Sequence, residues 1–75
     1  MKKEYPEYLN GQISVIIDEY IHNERNRRIL KRRFVDGITY RQIAEEFDMS
    51  VRHIKTIVYK NEWRLFRYLD VRNIN

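Results

Sequence analysis

The side chains with reach for chemistry crowd into one stretch, "SVRHIKTIVYK", from Ser50 to Lys60. It holds Arg52, His53, Lys55, Thr56, Tyr59 and Lys60, and no acid. Guanidinium and hydroxyl groups donate to base edges, and Lys and Arg neutralise phosphates. Just upstream, "TYRQ" sets Thr39, Tyr40, Arg41 and Gln42 side by side. The chemistry implied is recognition of a polyanion, not bond making or breaking.

Catalytic constellations are missing. There is no Gly-rich phosphate loop. Ser14 and Ser50 are the only serines, and Ser50 suits a helix cap better than a nucleophile. His22 and His53 stand alone, with no ligand at metal spacing, and there is no cysteine for a disulfide or a thiolate site. Glu45 and Glu46 read as solvated helix residues. No enzymatic activity, metal or cofactor is expected.

The charge is divided along the chain. Residues 1–24 carry two Lys against five Asp and Glu, a net −3, whereas residues 25–75 carry thirteen Lys and Arg against six acids, a net +7. Such asymmetry suggests a polyanionic partner, and a solvated basic face is the plain alternative. A hydrophobic fraction of 43% with 35% charged residues fits a folded domain better than a disordered chain. No apolar run approaches the ~18 residues of a membrane span, and "MKKEYPEYLN" lacks the apolar segment of a signal peptide. A cytoplasmic location and no membrane partner are expected.

These side chains need helices to position them. Two glycines and one proline leave few breaks, so the chain reads as all-α. Residues 1–75 are expected to form a single domain, with residues 1–11 as an N-terminal arm and 12–72 as a helical core. Tyr5 and Tyr8 of the arm could pack back onto it. A first helix is predicted from about Gln12 to His22, with Ile13, Ile16, Ile17, Tyr20 and Ile21 on one face. A second runs from about Glu24 to Val35, capped by Asn23, burying Ile29, Leu30 and Phe34 and stopped by Gly37. A third spans Tyr40 to Phe47; Thr39 with Gln42 makes a capping-box pattern, and Ala44 is small where helix axes would cross closely. After Asp48-Met49-Ser50 a fourth begins at Val51 and reaches Leu69 or beyond, with Ile54, Ile57, Val58, Leu65 and Leu69 on its core side.

A short helix, a three-residue break and a longer helix make the helix-turn-helix plan. The first helix braces the second, whose outer side can enter a DNA major groove. At about 100° per residue, the side opposite Ile54 collects Arg52, Thr56, Lys60, Trp63 and Arg67, flanked by His53, Arg64 and Tyr59. Within the cluster Arg25, Arg27, Arg28, Lys31, Arg32 and Arg33, some side chains are expected to pair with Glu24, Asp36 or the acidic first helix, and the rest to flank a phosphate backbone. Trp63 and Phe66 are expected to pack under the arm; exposed, they would mark a partner surface.

The run "RRILKRRFVDGITYRQIAEEFDMSVRHIKTIVYKNEWRLFRYL" resembles region 4 of sigma-70 family factors, and the resemblance extends from about Ile13 to Leu69. It implies four helices ending in a helix-turn-helix. In that family the start of the last helix reads the −35 promoter element in the major groove. The base-contacting positions match Val51, Arg52 and Thr56, and the backbone-contacting ones match Thr39, Tyr40, Arg41, Gln42, Lys55 and Lys60. Housekeeping members typically carry Arg, Glu and Gln where this chain has Val51, Arg52 and Thr56. Valine makes no bidentate contact to guanine, so a standard −35 sequence is not the expected target. A region-4-like chain without the other sigma domains implies a small bacterial or phage regulator.

The expected function is therefore a sequence-specific, double-stranded DNA-binding transcription regulator. The third helix would dock through Thr39, Tyr40, Arg41 and Gln42. The fourth, from its cap Ser50 and Val51, would enter the groove with Arg52, His53, Lys55, Thr56, Tyr59 and Lys60. The alternative is a protein-interaction module that binds RNA polymerase or a sigma factor, favoured by Val51, Tyr59, Trp63 and Phe66. RNA binding lacks loop aromatics or a sheet platform. A homodimer would follow from a palindromic target, which nothing in the sequence forces.

Overall fold

A computed structural model describes residues 10–74, with side chains from 11 to 68. The arm with Tyr5 and Tyr8, and the side chain of Leu69, lie outside the described residues. Four helices follow one another: α1 (Asn10–Tyr20), α2 (Glu24–Phe34), α3 (Tyr40–Phe47) and α4 (Val51–Ile74). No strand occurs among the described residues.

The helix limits follow local chemistry. Asn23 accepts from the Asn26 amide at 2.9 Å and starts α2. Gly37, at φ 70°, lets the chain reverse after α2, so that the Ile38 amide reaches the Arg32 carbonyl at 3.0 Å. Helix α1 ends at Tyr20 rather than His22. Ile21 still donates to the Ile17 carbonyl at 2.9 Å, and Arg27 reaches back to the Ile21 and His22 carbonyls at 3.1 and 3.4 Å. A guanidinium thus satisfies carbonyls that the end of α1 leaves open.

Apolar spacing at three and four residues gives each helix one buried stripe. Ile13, Ile16, Ile17 and Ile21 come from the α1 segment, Ile29 and Leu30 from α2, and Ile43 and Ala44 from α3. Ile54, Ile57, Val58, Leu65 and Phe66 complete the core from α4. Among the described residues, α4 packs against all three other helices and α2 likewise, while the backbones of α1 and α3 do not approach closely. Among the same residues, helix α3 packs on α2 and α4. The described core buries no polar residue.

Two aromatic expectations change. Tyr20 is not fully buried but 38% exposed, because its ring lies across the α1–α4 seam, stacked on Tyr68 with centroids 3.9 Å apart. Phe34 is half-buried and meets Phe66 edge-on at 5.4 Å. These contacts tie the outer part of α4 back to α1 and α2, which steadies the helix that carries the basic face.

Candidate nucleic-acid interface

The turn into α4 is built by three small devices. At the start of α3, the Thr39 hydroxyl accepts from the Gln42 backbone amide at 3.1 Å, and the Gln42 side-chain Oε1 accepts from the Thr39 backbone amide at 3.3 Å. This is a complete capping box. At the end of α3, Asp48 adopts the left-handed conformation, φ 54° and ψ 50°, and the Met49 amide donates to the Ala44 carbonyl at 2.9 Å. Met49 packs half-buried against the core at this corner. Ser50 then caps α4 by accepting from the His53 amide at 3.0 Å.

The consequence is a helix presented sideways. Ile54, Ile57 and Val58 are buried, while Arg52, His53, Lys55, Thr56, Tyr59 and Lys60 are all exposed. Val51 is 38% exposed and Tyr59 is 55% exposed. Thr39, Arg41, Gln42 and Ser50 are exposed as well, and Tyr40 is half-buried. The sequence-predicted residues thus occupy the outer surface of the helix-turn-helix, along α4 and the first turn of α3.

Hydrogen bonding limits what several of them can offer. The Thr39 hydroxyl donates to the Gln42 side-chain oxygen at 3.1 Å, so both halves of that hydroxyl are engaged in the cap. The Arg41 guanidinium and the Gln42 side-chain nitrogen, both on exposed residues, are donors that the first turn of α3 offers. Thr56 donates its hydroxyl to the Arg52 carbonyl at 3.0 Å. It faces outward with lone pairs and a methyl, as an acceptor or as an apolar contact for a thymine methyl.

An aromatic and cationic cluster joins α3 to α4. The Arg33 guanidinium sits 4.3 Å from the Tyr40 ring centroid, Lys55 Nζ lies 5.7 Å from the same ring, and Tyr59 meets it edge-on at 6.0 Å. Burial raises the Tyr40 phenol above its ordinary value, with Tyr59 adding to the rise and Arg33 opposing it. At the other end of α3, Arg28 lies 5.3 Å from the Phe47 ring centroid. Arginines of α2 therefore sit over the first and last residues of α3, one at each end.

The basic cluster of α2 divides in the structure. Lys31 pairs with Asp18 of α1 at 2.7 Å. Arg32 bridges Asp36 at 3.0 Å and Glu46 of α3 at 2.9 Å, and these hydrogen bonds, Glu46 first, raise its already high pKa. Pairing with Asp36 and with the acidic first helix is thus present; no ion pair of Glu24 is among the described contacts. Arg25 bonds its neighbour Asn26 at 3.3 Å and, like Arg28, keeps an exposed side chain.

Arg33 was hidden within that cluster, because a stack across the α2–α3 turn has no periodic signature. The aromatic pair near the end of α4 also separates. Phe66 is buried and meets Phe34 of α2, while the arm expected to cover it lies outside the described residues. Trp63 is not packed: it is 61% exposed, with the Arg67 guanidinium 5.8 Å from its ring centroid. The outward register of Trp63, in line with Arg52 and Thr56, keeps it off the core.

A four-helix arrangement that ends in a capped turn and a basic outer helix defines a helix-turn-helix domain. The family described as Sigma-70, region 4 matches residues 23–60, which span α2, α3 and the first ten residues of α4. The chain belongs to that family, a family of DNA-binding helix-turn-helix domains. No curated protein and no solved structure matches it. Among the described residues, no helix is long and apolar enough to cross a membrane.

Proposed function

We propose that this chain is a sequence-specific, double-stranded DNA-binding transcription regulator that acts by binding, without catalysis. The supporting observation is the outer face of α4. From Arg52 to Lys60 every side chain off the core is basic, hydroxylated or aromatic, with no acid among them. Residues 1–75 act as one helix-turn-helix domain in this proposal, with residues 51–60 in the major groove. Arg52, His53 and Thr56 face the base edges, with Val51 against a thymine methyl. Lys55, Tyr59 and Lys60 lie toward the phosphates, as do Tyr40, Arg41 and the amide of Gln42. Because Val51, Arg52 and Thr56 differ from the housekeeping residues, the target differs from a standard −35 element.

Fluorescence anisotropy of labelled duplex DNA, titrated at several salt concentrations, tests this role. Each phosphate contact contributes about −0.9 to the slope of log affinity against log salt. A slope worth several phosphates supports DNA as the partner, and site selection then defines the sequence. No binding at low salt refutes it.

A second role, docking on RNA polymerase or a sigma factor, draws support from exposed Val51, Tyr59 and Trp63. Phe66 no longer contributes, being in the core. Arg52→Ala and Lys55→Ala separate the two roles. Loss of DNA binding with an intact fold favours the regulator. Unchanged DNA binding, with Trp63→Ala breaking a polymerase pull-down, favours the protein partner.

A further inference from the structure

We infer that the DNA-contacting surface of α4 continues beyond Lys60, with Trp63 and Arg67 seated on the sugar-phosphate backbone of the duplex that the first turns read. The inference rests on the DNA-binding role proposed above and extends it to a part of α4 outside the family match at residues 23–60.

Register comes first. Helix α4 runs without a break from Val51 to Ile74. At about 100° per residue, Trp63 falls within about 20° of both Arg52 and Thr56, and Arg67 within about 20° of Thr56. The stripe that faces the base edges therefore runs straight on to Trp63 and Arg67. At about 1.5 Å per residue, Trp63 stands about 16 Å along the axis from Arg52. The major groove is only about 12 Å wide, so a helix laid across it has reached the flanking phosphates by that point.

Charge comes second. Lys60, Arg64 and Arg67 are exposed around Trp63. The only acid between Val51 and Arg67 is Glu62, which is half-buried and turned about 100° from Trp63. The indole has one polar atom, a donor, and no acceptor. The Arg67 guanidinium carbon already lies 5.8 Å from the indole centroid, a cation–aromatic pair on the exposed side of α4. Such a surface complements an acceptor-rich polyanion. A second copy of this chain fits poorly, because a symmetric contact would set these three cations against their equivalents.

Trp63 is the only tryptophan, so its emission reports this contact directly. The full chain is titrated with a labelled random-sequence duplex of about 20 base pairs, two helical turns, at low salt. DNA anisotropy and acrylamide quenching of Trp63 are read in the same samples. The expected result is saturating anisotropy with Trp63 shielded from acrylamide. Trp63→Ala, whose exposed position leaves circular dichroism unchanged, should weaken binding roughly tenfold. Arg67→Ala should reduce the salt slope by about one. Saturating anisotropy with Trp63 still fully quenchable and Trp63→Ala unimpaired overturns the inference and leaves the DNA-binding role standing. Shielding that depends on protein concentration alone also overturns it, in favour of self-association. No anisotropy change at all refutes the DNA-binding role, and the inference with it.

Discussion

The Arg33 guanidinium lies 4.3 Å from the centroid of the Tyr40 ring while one of its nitrogens donates to the Ile38 carbonyl at 3.1 Å. One side chain of α2 thus fixes both the loop before α3 and the first residue of α3. Cation–π contact and a hydrogen bond are each worth about 1 kcal/mol. Arg33→Ala should lower stability by about 1–2 kcal/mol in urea denaturation, and Arg33→Lys should recover only part, since lysine lacks the planar fork. An unchanged midpoint for Arg33→Ala would show that the stack is incidental.

The same contact predicts a pH effect. Burial raises the folded-state Tyr40 phenol above its ordinary value of 10.0. The neutral phenol is favoured in the fold, so Tyr40 contributes its full stability below pH 10. As pH rises past 10, the unfolded chain releases this proton first, and the contribution is lost through the raised folded value. Thermal melts from pH 8 upward should show a steeper decline in the wild type than in Tyr40→Phe. Parallel curves would remove Tyr40 as the cause.

The capping box at Thr39 is the only N-terminal stop that the short helix α3 has among the described contacts. Thr39→Ala leaves the Gln42 amide without its partner and should cost about 1 kcal/mol. Thr39→Ser keeps the hydroxyl and should cost much less. Denaturant midpoints of the two variants, compared with wild type, check the difference.

Ala44 is 5% exposed on a helix that packs against both α2 and α4. A larger side chain there has to push one of those helices away. Ala44→Leu should destabilise by about 1–3 kcal/mol through overpacking. Tolerance of leucine without loss of melting temperature would mean that the α3 packing has slack.

Arg52 and Lys55 neighbour each other on the exposed side of α4 but are assigned different tasks. Arg52→Ala should cost about 1–3 kcal/mol on a selected site and relax discrimination at one base position. Lys55→Ala should weaken all sequences alike and reduce the salt slope by about one. Identical behaviour of the two variants across several duplexes would contradict that division.

Most of the helical layout was legible from local signals. Asn23, Gly37, the Thr39–Gln42 pair and the Asp48-Met49-Ser50 break each act between residues close in sequence, and each sits where its helix begins or ends. The isoleucine stripes were equally plain, because burial repeats with the helix period. On α4 that period also separated the buried Ile54, Ile57 and Val58 from the exposed Arg52, Thr56 and Lys60. The reach of Arg27 to the end of α1, the bridge from Arg32 to Glu46 and the stack of Arg33 on Tyr40 had no such signature. Nor did the pairing of Tyr20 with Tyr68. Covalent spacing along one helix determines which residues share a face, and that much belongs to the sequence alone. Which long side chain meets which depends on how α2, α3 and α4 cross, and that was decided only when their stripes packed into one core.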